Sequence, residues 1–453
     1  MSNEDFFEHP ILRIRAKEVA PHPGRIETET DSSVFPPGFV LLFEAETGRP
    51  LSLFNHFNKE VAVAGRSDPE KWKKTQKSYA DDGANYATFL HYRGKSLETG
   101  KFSDLKAYAQ VMGTSLSTET GRKFATSTRR RRIGTIVGFY EWTFEKGYLP
   151  RVLPPRSGKL PAGLRFKAES PKADKAVRAL MPGKPRPDEK VNLVPLAVVA
   201  RVLKQLGPKV EQRVPHGPPS RDRLVAESAL ATSARLVSLV SIDVLDVLNA
   251  ERLIDPQDAN QLLVIRVQPK GDGPPKILVP QSLLIKWLKY YRGERAEICR
   301  KAIERHGPAR RISTKLFLNH MTANGRDLGG AASEDTLSRA FTAAILEIGH
   351  TTLESRAVLD EFGKPQVNRS GHIIWNEVEV AANTFHDLRH TYVVMTYHAM
   401  KRAGHRNPWK VISIALGHKL MSTTIDTYGK HVEVDESGLS QAVDDFLSNL
   451  DET

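Results

Sequence analysis

The segment from residue 384 to residue 431 constrains this chain most, because polar groups of one chemical kind repeatedly interrupt an apolar helical pattern there. Thr384 followed three residues later by Asp387 is a variant of the capping box and predicts a helix that begins near Phe385. The apolar positions that follow recur at helical spacing and are expected to face a core: Leu388, Tyr392, Met395 and Ala399.

Three basic or titratable side chains lie at the start of this predicted helix. His386, Arg389 and His390 are three and four residues apart, so they share neighbouring faces and can meet one anionic group. The positive end of the helix would favour the same anion. Taken alone, the HxxRH pattern has an ordinary alternative, because a histidine on a helix is usually a satisfied surface or core residue.

The second half of the segment adds to this set. A buried helix is predicted to end at Gly417, a plausible C-cap, which leaves His418 at the start of a turn. Thr423, Thr424 and Tyr428 follow directly. Arginine, histidines and a tyrosine, without a cysteine cluster or a carboxylate-rich set, suit phosphate chemistry performed without a metal.

The run HDLRH, then LGH, then TTIDTY resembles the C-terminal signature of the tyrosine recombinases, the phage-integrase family of site-specific DNA recombinases. The resemblance implies that Tyr428 is the nucleophile. It implies that Arg389, His386 and His418 form the phosphate-binding set, with His386 also serving as general acid or base at the tyrosine. His390 would have a supporting role.

Arg235 is the exception in an otherwise apolar stretch, RLVAESALATSARLVSLVSIDVLDVL, which predicts a buried helix. A buried arginine needs a paired anion, because an uncompensated charge costs several kcal/mol. The partner could be the carboxylate of Asp243 or Asp246, in a salt bridge. Alternatively, the region resembles the family's first arginine motif, which makes Arg235 a catalytic residue.

This arginine motif departs from the family pattern at two places. Ser233 and Ala234 stand where a glycine is usual. Ser238 stands where glutamate is usual. The catalytic assignment of Arg235 therefore depends on the surrounding structure.

The stretch QLLVIRVQPKGDGPPKILVP alternates as two strands joined by a turn at residues 271 to 273. The family places its catalytic lysine on such a hairpin. Lys270 is the preferred candidate and Lys276 the alternative, and either is otherwise a solvated turn residue.

The chain has 453 residues and a net charge of +13, with a pI of about 9.6. This length allows two or three domains, and the charge favours a polyanionic partner over an ordinary basic protein surface. We divide the chain into an N-terminal accessory region (1–65), a helical core DNA-binding domain (66–150), a proline-rich basic linker (151–192) and a catalytic domain (193–453). In the accessory region, FVLLFEAETGRPLSLF predicts a hairpin with its turn near Thr47 and Gly48.

Four consecutive arginines begin the third helix of the region 66–150: Arg129, Arg130, Arg131 and Arg132. They cannot all face one way and would form a collar that grips the phosphate backbone of DNA. A solvated charged surface is the alternative.

The predicted fold is mainly α with a small β-sheet, in which a helical core-binding domain and a catalytic domain clamp DNA. The predicted function is a metal- and ATP-independent DNA recombinase without cofactor, serving integration, excision or transposition of a mobile element. The alternatives are a DNA-binding regulator without chemistry and an enzyme of the type IB topoisomerase or telomere-resolvase kind.

The predicted partners are a double-stranded recombination site, other copies of the chain in a tetramer, and possible accessory proteins. An apolar stripe near the C-terminus would connect the protomers: Leu439, Val443, Phe446, Leu447 and Leu450. One cysteine, Cys299, allows no intramolecular disulfide. A cytoplasmic protein without a membrane span is expected.

Overall fold

The computed structural model describes residues 10–16, 35–63, 69–154, 175–183, 191–267, 276–320, 327–418 and 420–435. Contacts divide the chain into two units, one of residues 1–185 with 356–376 and one of residues 186–355 with 377–453. The described residues are mainly helical and form three two-stranded sheets. The expectation of a mainly α fold with small β-structure is confirmed.

The first unit packs helices against one antiparallel strand pair. Strands β1 (Ile11–Arg15) and β2 (Val40–Glu44) pair antiparallel. The helices are α1 (Ser52–Asn58), α2 (Pro69–His91), α3 (Phe102–Thr114), α4 (Thr126–Glu145) and the short α5 (Lys175–Arg178). Their core contains side chains from the N-terminal region and from residues 66–150, among them Phe54, Phe57, Tyr86, Phe139 and Trp142.

Two buried amides satisfy the backbone of β2. The side chain of Gln76 bonds both the N–H and the C=O of Val40, at 3.0 and 2.9 Å. Asn55 does the same for Leu42, at 2.9 and 3.0 Å. A buried backbone group without a partner is costly, so these two amides hold the strand against α1 and α2.

The hairpin predicted within FVLLFEAETGRPLSLF is only partly correct. The chain turns at Thr47 and Gly48, since Glu44 N–H bonds the Arg49 carbonyl at 2.8 Å. However, β2 pairs with β1, and the residues from Ser52 onward form α1. The apolar side chains of this second half face the core at helical spacing, as Phe54 and Phe57 show, and this outweighs their resemblance to a strand.

The second unit contains most of the remaining helices. These are α6 (Leu196–Gln205), α7 (Arg221–Thr232), α8 (Leu236–Val240), α9 (Val244–Glu251), α10 (Gln281–Tyr290), α11 (Ala296–His306) and α12 (Glu334–Glu347). Three more follow near the C-terminus: α13 (Asp387–Arg402), α14 (Pro408–Leu416) and α15 (Met421–Asp435). The main core of the unit surrounds Trp287, Phe317 and Phe341.

The predicted hairpin in the second unit is confirmed. Strands β3 (Leu262–Arg266) and β4 (Lys276–Pro280) pair antiparallel. The turn that joins them, with Lys270, lies outside the described residues.

The single buried helix predicted around Arg235 is wrong. The segment forms α7, α8 and α9, and the first break is at Ser233, which adopts a left-handed conformation with φ 56°. The apolar pattern continues through the break because all three helices contribute to one core, so periodicity alone does not show where the backbone turns.

Residues 351–383, which carry no motif, include strands β5 (Thr351–Ala357) and β6 (Trp375–Ala381). The two strands form a two-stranded sheet. The C-terminal stripe from Leu439 to Leu450 and most of the proline-rich linker lie outside the described residues. Within the part of the chain that is described, none of the helices is both long and apolar enough to cross a membrane.

Candidate active site

Helices α13, α14 and α15 enclose a small core of their own. It contains Val393, Val394 and Tyr397 of α13, Ile412 and Leu416 of α14, and Tyr428 and Val432 of α15. The capping interaction predicted at the start of α13 is present in part, since Thr384 N–H bonds the Asp387 carboxylate at 2.8 Å. The helix begins at Asp387, two residues later than predicted.

Arg389 lies buried where the ends of two helices meet. Its guanidinium donates to the carbonyl of Ser233, the C-cap of α7, and to that of Leu416, the last residue of α14, at 2.9 Å in the second case. The last carbonyls of a helix have no partner within the helix and carry its negative dipole end. Arg389 therefore satisfies both helix ends, and the guanidinium retains further N–H groups for a ligand.

The left-handed conformation of Ser233 makes this bond possible. A non-glycine residue in this conformation costs about 1 to 2 kcal/mol. The Ser233 hydroxyl bonds the carbonyl of Ala415 in α14 at 3.4 Å, which offsets part of the cost. Glycine adopts this conformation without that cost, so the turn that follows α7 is a position that favours glycine.

His418 is positioned by the end of α14. Gly417 is left-handed with φ 70°. The N–H groups of Gly417 and His418 bond the carbonyls of Ile414 and Ser413, both at 3.0 Å. This pattern is a Schellman motif. The ring Nδ1 of His418 then contacts Thr424 Oγ1 at 2.8 Å, which ties it to α15 one turn before Tyr428.

Tyr428 lies in the small core, and its side chain is only 3% exposed. Its hydroxyl is hydrogen-bonded to His390 Nδ1 at 2.8 Å, and the positive charge of Arg389 acts on it. Burial raises the pKa of Tyr428 above its ordinary value, while the positive charges of Arg389 and Arg235 oppose the rise. The phenol is therefore protonated at neutral pH.

The positive charges of the site lower the pKa values of neighbouring basic groups. Burial, followed by the nearby Arg235, lowers the pKa of Arg389 to about 10. Burial and the charges of Arg389 and Arg235 lower the pKa of His418 to about 4. These couplings place four of the predicted residues in one cluster: Arg235, Arg389, His418 and Tyr428.

A cavity of about 600 Å³ opens beside the cluster. Arg235, His386 and Arg389 line it, together with Glu334 and Asp335 at the start of α12. Among the described residues, no ion pair joins Arg235 to Asp243 or Asp246. Asp243 instead caps α9 and accepts from the Thr314 hydroxyl at 2.7 Å.

The lysine assignment stays a prediction. Lys270 lies outside the described residues. Lys276 is exposed at the first position of β4, opposite Arg266.

The four arginines of the predicted collar, in the first unit, have different environments. Arg131 bonds the buried carboxylate of Asp82 at 2.9 Å. Arg132 lies 3.9 Å from the same carboxylate and over the Phe124 ring. Among the described residues, Arg129 bonds the Thr126 hydroxyl and Arg130 bonds the Pro182 carbonyl, so both keep more of their N–H groups for phosphates.

This difference predicts two separate effects. Because burial raises the pKa of Asp82 to about 6 and Arg131 is the nearest charge that opposes the rise, Arg131→Ala should lower the unfolding free energy by about 1 to 3 kcal/mol. Arg129→Ala with Arg130→Ala should instead reduce the salt dependence of DNA binding by about one to two units of log-log slope. Thermal melting and binding titrations at several salt concentrations distinguish them. An unchanged slope would make these arginines an ordinary solvated surface.

The family resemblance assigns the contact with Tyr428 to His386 and misses the contact that His390 makes. The available signal was the continuation of the buried stripe: His390 precedes Val393, Val394 and Tyr397 at helical spacing, whereas His386 is exposed. A residue on the core side of α13 is the one that reaches a buried tyrosine.

No protein-family model matches the sequence, and no curated protein matches it. Similar solved structures include a lambda integrase dimer bound to a COC′ core site, with 16% identity and a TM-score of 0.42, covering 83% of this chain and 94% of that chain. XerH site-specific recombinase bound to a palindromic difH substrate has 14% identity and a TM-score of 0.44, and the match covers 83% of this chain and 80% of that chain. The Tn1549 transposon integrase in complex with circular intermediate DNA has 13% identity and a TM-score of 0.42, and the match covers 83% of this chain and 94% of that chain. The roles of individual residues therefore rest on the geometry of this chain itself.

Proposed function

We propose that this chain is a tyrosine recombinase, which cleaves and rejoins DNA at specific sites through a covalent bond between Tyr428 and a DNA phosphate. One observation carries the proposal: the buried Tyr428 lies in the core of α13, α14 and α15 beside Arg389, which lines one cavity with Arg235 and bonds the Leu416 carbonyl two residues before His418. A phosphate bound by these cations would lie next to the tyrosine oxygen.

The electrostatics of the cluster favour an anionic ligand. Arg389 is buried and its pKa is lowered by burial and by Arg235. An anion bound by both guanidinium groups would offset their mutual repulsion and favour the charged form of each. A phosphodiester has the two non-bridging oxygens that planar guanidinium groups bind well.

The proposed reaction assigns a step to each of these residues. The Tyr428 oxygen attacks the phosphorus, forms a 3′-phosphotyrosine and releases a 5′-hydroxyl. Arg235 and Arg389 hold the non-bridging oxygens, and each preorganised donor contributes roughly 3 kcal/mol to transition-state stabilisation. His418 hydrogen-bonds the phosphate. Lys270, by the family resemblance, protonates the leaving 5′-oxygen. A 5′-hydroxyl from another strand then attacks the phosphotyrosine and releases Tyr428. The bond energy is kept in the covalent intermediate, so no ATP is required.

The wider arrangement is part of the same proposal. The two units would clamp a double-stranded recombination site, and four copies would assemble on two sites, connected through the C-terminal stripe. Accessory proteins and a mobile genetic element as the source of the DNA site belong to the proposal as well.

Covalent trapping tests the proposal. A nicked duplex loses the short strand beyond the cleavage point, so rejoining fails and the adduct accumulates. With DNA from the ends of the element that encodes the chain, we expect a protein–DNA adduct stable to denaturation. A DNA-binding regulator would give a retarded complex without an adduct. An enzyme that relaxes or seals one duplex would give an adduct but no product joined between two sites.

We predict that cleavage survives chelation. The cluster supplies its positive charge from arginines, so adduct formation in excess EDTA should match that in magnesium. Quantifying the adduct under both conditions checks this. Loss of the adduct in EDTA with recovery on adding magnesium would contradict it.

A further inference from the structure

His390 is the histidine in contact with the nucleophile. Its Nδ1 lies 2.8 Å from the hydroxyl of Tyr428. Their ring centroids are 5.5 Å apart. Both side chains are buried, His390 being 8% and Tyr428 3% exposed. Bulk water therefore has little access to the phenolic proton.

His386 has a different place. It is exposed at the N-cap of α13, and its ring packs edge-on against the ring of His390 with the centroids 5.0 Å apart. Arg389, whose charge also acts on the Tyr428 hydroxyl, is a donor only. His390 is thus the neighbour of the hydroxyl that is able to accept its proton.

We propose that His390 is a catalytic residue that takes the proton of Tyr428 during cleavage and returns it during rejoining. This proposal rests on the function proposed above. The Tyr428 O–H bond breaks and its proton moves to His390 Nδ1, while the oxygen forms the bond to phosphorus. The bond from phosphorus to the 5′-oxygen breaks, its electron pair stays on that oxygen, and the general acid assigned to Lys270 protonates it. Arg389 stabilises the developing phenolate.

The charges around His390 explain why this transfer waits for DNA. Burial, followed by the charges of His386, Arg389 and His431, lowers the pKa of His390 to about 4. The groups that face it are His386 at the N-cap of α13, Arg389 on α13, and Tyr428 and His431 on α15. A phosphate in the cluster adds negative charge, which raises the pKa of His390 and favours the imidazolium. The free protein keeps the proton on the tyrosine.

His390→Asn is the decisive variant. Asparagine places an amide group near the position of Nδ1, so it still hydrogen-bonds Tyr428 but cannot take its proton. Single-turnover cleavage of the nicked duplex should slow by about 10²- to 10⁴-fold, with DNA affinity unchanged. His398→Asn is the matched control, because His398 is also 8% exposed and lies two turns later on α13.

The pH profile provides a readout that a purely positional role would not change. The wild-type rate should fall as the pH is lowered and His390 becomes protonated in the DNA complex, and His390→Asn should lack this dependence. Equal rates for His390→Asn and wild type would overturn the proposal. A faster variant would also overturn it, since the contact would then restrain Tyr428.

A substrate with sulfur in place of the bridging 5′-oxygen separates the two proton transfers. A thiol has a pKa near 8.5, so the thiolate leaves without a proton donor. His390→Asn should remain slow on this substrate, and recovery to the wild-type rate would instead place His390 at the leaving group. If His390→Asn folds poorly, His390→Ala with added imidazole replaces it. Cleavage restored by imidazole supports the proposal, and a failure of imidazole to restore cleavage contradicts it. Failure of the wild-type chain to form any adduct would overturn the proposed function together with this one.

Discussion

Replacing Tyr428 with phenylalanine should abolish the covalent protein–DNA adduct while DNA affinity stays nearly unchanged. The substitution removes only the oxygen that attacks phosphorus. In the proposed mechanism, the nearby histidine and arginine side chains bind the phosphate independently of that oxygen, so we expect binding to remain. Denaturing gels with a labelled nicked duplex measure the adduct, and retardation gels measure the affinity.

Tyr397→Phe is the control for this experiment. Tyr397 belongs to the same small core between α13, α14 and α15, so both variants lose one hydroxyl from the same region. The Tyr397→Phe protein should form adduct at the wild-type rate. Persistence of the adduct in Tyr428→Phe would refute Tyr428 as the nucleophile. Loss of the adduct in both variants would indicate damage to the core rather than loss of the nucleophile.

Local signals in the sequence predicted the local structure of the site well. Gly417 caps α14 as predicted, because a left-handed residue favours glycine and both orphan carbonyls gain partners there. The hairpin of β3 and β4 follows from strict alternation around a glycine-rich turn. These features depend on a few neighbouring residues, and the sequence contains all of them.

Contacts between distant residues were not predictable in the same way. Arg389 bonds a carbonyl of Ser233, 156 residues away, and the bond requires a break in a helix that periodicity alone shows as continuous. Arg131 bonds Asp82, whose carboxylate is buried although the adjacent Asp81 is partly exposed. A single charged residue within an amphipathic helix has no local mark that distinguishes a buried ion-pair partner from a solvated one.

Replacing Arg389 with lysine should reduce both stability and cleavage, whereas the same change at Arg235 should reduce cleavage alone. Lysine keeps the charge at position 389 but cannot bond two carbonyls and a phosphate at once, because its ammonium is a single point of donation. The carbonyls of Ser233 and Leu416 would lose their partner, and each unsatisfied buried group costs about 1 to 3 kcal/mol. The guanidinium of Arg235 bonds no described residue, so little stability depends on it.

Both variants should slow adduct formation by about 10²- to 10³-fold, the usual effect of losing one oriented donor at a developing oxyanion. Thermal melting should then separate them: Arg389→Lys melts at a clearly lower temperature than the wild-type chain, and Arg235→Lys melts close to it. Equal melting temperatures for the two variants would show that Arg389 does not hold the ends of α7 and α14 together. If Arg235→Lys cleaves at the wild-type rate, Arg235 does not belong to the phosphate-binding set, and Arg389 is the arginine that remains in that set.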